Sequence, residues 1–196
     1  LDGPAHRSQP AARRPHGAPA LRRHTAAIPA GSAAKGYIAA GFNVAGTNYP
    51  VMKDIQKYVY AKGKGNMDDK SRVGSIYHNR GVVHGIITVE AIRKAQEKFG
   101  KGKSITGEQM RWGIENLNID NAMLKKLGAE GFMPELKISC MDHEGSGKVK
   151  FQQWDGKQWK VITDWIDADK SIVRPMIEES AAKYGKEKNI APRDCS

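Results

Sequence analysis

The composition of the chain changes abruptly near residue 30, and this change limits the part of the chain that can fold. Residues 1–30 contain five of the nine prolines and five arginines, but no lysine and no Val, Met, Phe, Tyr or Trp. A segment with so few large apolar side chains cannot bury enough surface to offset the entropy lost on ordering. We therefore predict a disordered or non-native tail over residues 1–30 and a folded unit over residues 31–196.

Three interpretations of this tail can be compared. A secretory signal requires an unbroken apolar stretch after a basic start, and the tail has none. A transit peptide is rich in Arg and poor in acids, as this tail is, but it is also amphipathic and rich in Ser, whereas the tail has only Ser8. The abundance of Ala, Arg, Pro, Gly and His, with Leu1 as the first residue, favours a third interpretation, in which a GC-rich gene is translated in a non-native frame.

The net positive charge of the chain is compatible with an anionic partner but does not require one. The sequence has 196 residues, of which 39% are hydrophobic, and a formal net charge of +11. No run of 18 consecutive apolar residues occurs, so we predict no membrane-spanning helix. Basic and acidic residues are interleaved over several predicted elements, which favours a solvated surface over a nucleic-acid groove.

Hydrophobic periodicity predicts a long central helix at residues 75–99. Apolar residues recur there near helical spacing, and Gly100 follows as a stop signal. Gly81 and Gly85 each lower the intrinsic stability of a helix. We therefore expect another backbone to approach the helix closely at these two glycines.

Shorter helices carry start and stop signals. Pro50 marks the first turn of one helix, for which Thr47 or Asn48 is the expected N-cap. A capping box at residues 106–109 opens another helix, and a short helix is predicted at residues 120–127. A final helix is predicted from about residue 175 to 188, with the inward-facing residues Ile177, Ala181 and Tyr184.

Three apolar regions predict β-strands. They are residues 35–46, which include the loop after the strand, residues 136–140, and a hairpin formed by residues 148–154 and 157–163. A three-residue hairpin loop would place Phe151 opposite Trp159 and Val149 opposite Val161, with Gly156 in the left-handed conformation. A two-residue loop would place the polar Lys160 opposite Phe151, so the longer loop is preferred.

The sequence contains no clear motif for a metal site or for covalent catalysis. The Gly-Lys-Ser triplet at residues 102–104 lacks the first glycine of a phosphate-binding loop. The acidic segment at residues 164–169 lacks the glycine and late glutamate of an EF-hand. His143 has no second histidine at helical spacing, and His78 and His84 lie on nearly opposite helix faces. Neither cysteine lies in a catalytic motif, so we predict no enzyme, no metal and no cofactor.

Three stretches carry a resemblance to a known family: residues 28–55, residues 75–120 and residues 142–166. Together they resemble the C-terminal portion of a periplasmic solute-binding protein of the branched-chain amino-acid type, the receptor component of an ATP-binding cassette (ABC) importer. The order of a strand and helix, a long crossing helix, a capped helix and a late hairpin is similar to that family. The resemblance implies an α/β class and an incomplete type I periplasmic-binding fold, with part of lobe two plus the C-terminal helices and β-hairpin.

The resemblance also implies a function. Members of this family capture a solute between two lobes and deliver it to the permease component of the importer. We therefore expect capture of an amino acid or small amide in the periplasm, although the chain carries no recognisable signal peptide, and we expect no nucleic acid as partner. Because the first lobe has no counterpart in the sequence, we expect the activity to be impaired. The alternative hypothesis, based on charge, is a basic interaction module that binds nucleic acid or an acidic partner.

In the resembled family, the segment that leads into the long helix faces the cleft between the lobes. The resemblance thus implies four ligand contacts and two weaker candidates on the opposite wall, which are Ser75, Tyr77, His78 and Asn79, and then Tyr37 and Phe42. Tyr77 offers a ring face and a hydroxyl, whereas Ser75 and Asn79 offer polar groups. The alternative is that Tyr77 and His78 only cap and pack the start of a helix.

The two cysteines, Cys140 and Cys195, are predicted to form a disulfide in an oxidising compartment. Cys140 ends a predicted strand and Cys195 is the penultimate residue, so a bridge between them would hold a chain end that otherwise frays. Closing a loop of this length contributes on the order of 4 kcal/mol in the chain-entropy treatment. The alternative of two unpaired thiols remains open at this stage.

Overall fold

The computed structural model describes residues 27–195. Its main helices are α1 (Pro50–Tyr58), α2 (Ile76–Phe99), α3 (Gly107–Glu115), α4 (Asn121–Lys126) and α5 (Lys170–Lys188). Its strands are β1 (Ile38–Gly41), β2 (Asn118–Ile119), β3 (Leu136–Lys137), β4 (Lys150–Trp154) and β5 (Trp159–Val161). The described residues therefore combine helices and strands, as expected, and the pairs formed by these strands are antiparallel. The strand expected at residues 136–140 is reduced to the two residues of β3, which pair with β2.

The described chain begins with four helical residues, 27–30, that the composition assigns to the tail. Ala27 is only 3% exposed, and a 3-10 turn at Gly31–Ala34 follows. The Gly31 carbonyl accepts a 2.7 Å hydrogen bond from the indole N–H of Trp154. Contact with the hairpin thus orders the chain a few residues before the predicted boundary. The rest of the tail prediction concerns residues 1–26, which lie outside the described range.

An antiparallel sheet joins β1 to the C-terminal hairpin, with β4 in the middle. In the hairpin, Trp154 pairs with Trp159, and Gln152 pairs with Val161. The predicted pairing of Phe151 with Trp159 is therefore wrong by three residues. Strand pairing extends to both tryptophans, whose rings pack 5.5 Å apart, so the loop must be longer than three residues.

Asp155 explains the longer hairpin loop. Its carboxylate accepts hydrogen bonds of 2.9 and 2.8 Å from the backbone N–H groups of Lys157 and Gln158. The backbone N–H of Asp155 in turn donates to the Gln158 carbonyl at 3.1 Å. These bonds stabilise a four-residue loop at residues 155–158, which periodicity alone does not reveal. Gly156 has a positive φ of 104°, as expected.

The hydrophobic core lies between α1, α2 and the segment that contains β2 and α4. Its buried members are Val44, Met52, Val83, Leu117, Ile119, Leu124, Ala129, Phe132 and Met133. The ring of Phe132 is fully buried and packs edge-to-face on Tyr49, with 5.3 Å between ring centroids. These residues come from the sequence before α2, from α2 itself and from the sequence after it. The position of the central helix is therefore fixed by packing between distant parts of the chain.

The close helix contact occurs at Gly113 rather than at Gly81 or Gly85. A Cβ atom at Gly113 would overlap the backbone carbonyl oxygen of Ala91, so α3 approaches the backbone of α2 there. A Cβ atom at Gly81 or Gly85 would have no described atom within 4 Å other than those of its chain neighbours and the nearby backbone of α2. The expectation for these two glycines is therefore wrong within residues 27–195. The C-terminal half of α2 supplies the small side chains that allow close approach, as Ala91 shows.

Helix ends follow local signals to different degrees. Ser75 caps α2, and both hydrogen bonds of the predicted capping box are present between Thr106 and Gln109. The N-cap of α1 is Tyr49, without a side-chain hydrogen bond, so the predicted caps at residues 47 and 48 are wrong. Tyr49 is extended, with φ −123° and ψ 144°, because the following Pro50 disfavours helical geometry at this position.

The last helix, α5, differs most from expectation. It begins at Lys170, before the predicted start at Pro175, because Asp169 accepts a 3.0 Å hydrogen bond from the backbone N–H of Ser171. No residue of α5 is buried. The predicted inward face of Ile177, Ala181 and Tyr184 is exposed, because the described residues include no element that covers it. We call residues 170–195, α5 with the segment after it, the C-terminal arm.

Candidate functional site

Two buried asparagines join the loop after β1 to the start of α2. The Asn79 side-chain amide donates hydrogen bonds to the carbonyls of Val44 and Gly46, at 2.8 and 2.9 Å. The Asn43 amide donates to the Ile76 carbonyl at 3.0 Å. Both asparagines are fully buried. Asn79 therefore holds the loop against the helix and has no exposed surface in this structure.

Ser75 and His78, which are also predicted ligand contacts, form hydrogen bonds with neighbouring residues. The Ser75 hydroxyl oxygen accepts a 3.3 Å hydrogen bond from the backbone N–H of His78, as a helix cap does. The His78 Nε2 lies 2.7 Å from the Tyr60 hydroxyl, and its Nδ1 lies 3.2 Å from Asn79 Oδ1. These contacts fix the orientation of Ser75 and His78 at the first turn of α2.

Phe42, Tyr77 and Arg80 form an exposed cluster on this scaffold. Phe42 and Tyr77 are each 40% exposed. The Arg80 guanidinium carbon lies 4.2 Å from the Phe42 ring centroid, a cation–π arrangement. Arg80 Nη2 and Nε lie 3.3 and 3.4 Å from Asn43 Oδ1, which orients the guanidinium. We call these three residues, of which Arg80 is half-buried, the arginine–aromatic cluster.

The electrostatics of the cluster are those of a partly desolvated cation. Burial lowers the pKa of Arg80, and the nearby Tyr77 opposes this shift. Arg80 forms no ion pair with a carboxylate among residues 27–195. A guanidinium held in one orientation over the Phe42 ring can bind a carboxylate, while exposed aromatic rings accept an apolar group.

Two of these three residues, Phe42 and Tyr77, are among the ligand contacts that the resemblance implies, and both lie near Arg80 in the structure. Arg80 itself was missed, although its position three residues after Tyr77 puts it on the same helix face. Tyr37 does not join the cluster, because it lies at the other end of β1 and packs on Trp159, with 6.2 Å between ring centroids.

A second polar cluster surrounds the buried carboxylate of Glu115. Arg193 pairs with it through its two terminal guanidinium nitrogens, Nη1 and Nη2, and Nη2 lies 2.6 Å from Oε2. His143 Nε2 lies 3.2 Å from Oε1. The hydrogen bonds from Arg193 lower the pKa of Glu115 from 4.5 to about 2, against an opposing effect of burial. Glu115 thereby anchors the end of the C-terminal arm.

The two cysteines lie beside this anchor. Cys140 and Cys195 form a disulfide in the structure, with 5.7 Å between their Cα atoms, a distance within the usual range. The bond ties the end of the arm to the segment after β3. Within the part of the chain that the structure describes, no group of His, Cys, Asp or Glu side chains is arranged to hold a metal ion.

Comparison with solved structures relates the chain to transport proteins. The crystal structure of an ABC transporter permease from the Pseudomonas fluorescens group matches 86% of this chain with 48% identity and a TM-score of 0.81. A branched-chain amino acid ABC transporter from Thermus thermophilus, crystallised with bound valine, matches 71% of this chain with 22% identity and a TM-score of 0.55. This chain spans 40% and 35% of the lengths of those two proteins. No family profile and no curated protein matches it.

The chain is related to ABC transporter proteins. The two similar structures are transporter components rather than enzymes, in agreement with the prediction that the chain is not an enzyme. The likeness to the T. thermophilus protein concerns the fold alone, because the identity is low. The nucleic-acid alternative is not favoured by either structure. Among residues 27–195, no helix combines the length and apolar character that crossing a membrane requires.

Proposed function

We propose that this chain contributes one wall of the solute site in the receptor component of an ABC importer. In this proposal, residues 31–196 correspond to the C-terminal portion of a type I periplasmic-binding fold. The solute is an amino acid, its receptor works in the periplasm, and the permease component receives it. The relation to ABC transporter proteins supports the transport role, and the arginine–aromatic cluster supports the solute class.

The arginine–aromatic cluster carries the proposal because of the hydrogen-bonding capacity that Arg80 retains. Asn43 Oδ1 engages Nε and Nη2, and Nη1 makes no hydrogen bond to another described residue. A carboxylate can accept from Nη1 and from the second hydrogen of Nη2, in the paired geometry that arginine favours. Such a bond favours an amino acid over an uncharged amide.

The aromatic rings supply the apolar part of the wall. Phe42 is already in contact with the guanidinium, and Tyr77 lies one helical turn before Arg80. An aliphatic side chain that packs on these exposed rings would remove apolar surface from water. The T. thermophilus protein, whose fold is similar, holds valine, which combines a carboxylate with such a side chain.

A titration of the chain followed by NMR tests this function. Because the chain supplies a single wall of the site, we expect it to bind L-valine weakly, with a dissociation constant on the order of 1 mM. At L-valine concentrations in that range, the NMR signals of Phe42 and Tyr77 should shift. Isobutylamine, which has the same aliphatic group but no carboxylate, should leave them unchanged. Arg80→Ala should abolish the response, whereas Arg93→Ala, on the same helix and paired with Glu90, should retain it.

Two results would contradict the proposed function. The first is an equal response to L-valine and isobutylamine, because the carboxylate would then have no role. The second is an unchanged response in Arg80→Ala with the fold intact by circular dichroism. Either result would leave the relation to ABC transporter proteins in place and would remove this cluster as its solute wall.

A further inference from the structure

Residues 42–46 form the part of the loop after β1 that carries Phe42 of the arginine–aromatic cluster. The paired residues of β1 end at Gly41, one residue earlier, so strand pairing does not hold this part of the loop. Side-chain amides hold it instead, and Asn43 and Asn79 provide two of them. A third amide, which comes from the hairpin, holds the same loop.

Gln152, in the middle strand β4, provides this third amide. Its side-chain Oε1 accepts a 3.2 Å hydrogen bond from the backbone N–H of Ala45. The backbone of Gln152 pairs with Ala39 on one side and with Val161 on the other, so the sheet fixes its position. Along the backbone, the Ala45 N–H comes between the two carbonyls that Asn79 binds. The hairpin and α2 therefore hold adjacent groups of one short segment.

The nitrogen of the same side chain indicates which atom of Gln152 is important. Gln152 is fully buried, and its Nε2 has no hydrogen-bond partner among residues 27–195. A buried amide N–H without a partner destabilises the folded state, and an apolar side chain of similar shape would avoid that cost. A glutamine at this position is therefore explained by its oxygen, which binds the Ala45 N–H.

We propose that Gln152 is a positioning residue for the solute wall, through which the hairpin sets the place of Phe42 against the Arg80 guanidinium. Ala45 lies three residues after Phe42, and Asn43, which orients Arg80, lies between them. A shift of the loop would therefore move the aromatic ring and the partner of the guanidinium together. The inference rests on the proposed function, since Gln152 acts on the solute only through the arginine–aromatic cluster.

NMR of the full 196-residue chain without solute tests this positioning role. The side-chain protons of Arg80 that lie over the Phe42 ring should be displaced upfield by the ring current. Gln152→Met removes the oxygen but keeps a side chain of similar length, and it should abolish at least half of this displacement. Gln153→Met is the matched control, because Gln153 is the next residue of β4 and donates a 3.2 Å hydrogen bond to the carbonyl of Gly36, before β1. The control should leave the displacement unchanged.

Two further variants separate the oxygen of Gln152 from the space that its side chain fills. Gln152→Glu keeps an oxygen at the same position along the side chain, so the displacement should be retained. Gln152→Asn keeps the amide but shortens the side chain by one methylene group, so the displacement should fall as in Gln152→Met. In the same set, the dissociation constant for L-valine should rise at least threefold in Gln152→Met and Gln152→Asn. It should change less than twofold in Gln152→Glu and Gln153→Met.

Several outcomes would overturn the positioning role. They are an unchanged displacement in a folded Gln152→Met or Gln152→Asn, a loss of the displacement in a folded Gln152→Glu, and an equal loss in Gln153→Met. Circular dichroism reports the fold of each variant, and failure of all three Gln152 variants to fold would assign this residue to stability alone. The ring-current measurement uses no solute. A chain that shows the expected displacements but does not bind L-valine would therefore contradict the proposed function and leave Gln152 as the residue that positions the cluster.

Discussion

The central helices and the C-terminal arm are stabilised in opposite ways. Around α2, Val44, Met52 and Phe132 are fully buried and come from three separate parts of the chain. In the arm, a 19-residue helix has no buried residue and is held by ion pairs and a disulfide at its ends. Within the described residues, the central helices therefore have a core of their own, whereas the arm leaves its apolar side chains exposed.

Truncating a core residue should have the largest effect. Phe132→Ala removes a fully buried ring that packs on Tyr49, so we expect the free energy of unfolding to fall by about 3–5 kcal/mol. Tyr184→Ala makes a comparable truncation in the arm, where the side chain is exposed, and should change it by less than about 0.5 kcal/mol. Urea denaturation measures both values. Similar losses in the two variants would show that the arm has a core of its own.

The disulfide should be the next largest contribution, and its effect should be confined to the arm. Replacing both Cys140 and Cys195 by Ser should lower the stability of the arm by about 2–4 kcal/mol, because the released loop regains conformational freedom. Hydrogen exchange should then accelerate in α5 while α2 keeps its protection. If the amides of α5 stayed protected in the double variant, the ion pairs alone would suffice to hold the arm.

Two glycines allow a matched test of helix packing. Gly113→Ala should destabilise the protein by about 1–3 kcal/mol, because its Cβ overlaps the Ala91 carbonyl. Gly81→Ala should stabilise it by up to about 1 kcal/mol, because that position is helical and open. Thermal unfolding of the two variants gives both signs. A loss in Gly81→Ala would mean that this face of α2 is covered in solution, as the sequence first suggested.

The same contrast explains what the sequence could predict of the fold. The limits of α2 and the capping box at Thr106 were predictable, because each depends on side chains within a few residues. The position of the close helix contact depends on which helix packs on α2, and periodicity does not contain that information. The prediction of an inward face on α5 follows from the amphipathic pattern of that helix. The prediction is wrong because none of the other described residues covers that face.

The candidate site shows the same division between local and long-range information. Phe42 and Tyr77 could be predicted as ligand contacts from a resemblance, because the segments that carry the resemblance are each continuous in sequence. The contact between Arg80 and Phe42 spans the loop after β1 and depends on the two buried asparagines, Asn43 and Asn79. Those asparagines could not be distinguished from ligand contacts by residue type alone.

The smallest predicted effect concerns acid pH and again separates the arm from the hairpin. Hydrogen bonds from Arg193 lower the pKa of Glu115 from 4.5 to about 2. Hydrogen bonds from the backbone N–H groups of Gln158 and Lys157 lower the pKa of Asp155 from 3.8 to about 2. A carboxyl whose pKa is lower in the folded state stabilises that state above its unfolded pKa. This contribution is lost as the pH falls through the folded value.

Glu115 should therefore make the arm sensitive to acid. Between pH 4.5 and about 2, the protection factors of the amides in the arm, which are corrected for the intrinsic pH dependence of exchange, should fall as Glu115 is protonated and releases Arg193. Glu115→Gln should show the low protection factors already at neutral pH and little further change in them over that interval. Asp155→Asn is the matched control, because it removes a carboxyl of similarly low pKa from the hairpin loop and should leave the exchange of the arm unchanged. An arm that loses protection equally in both variants would be responding to the net charge of the protein, and the pairing of Glu115 with Arg193 would not be what holds it.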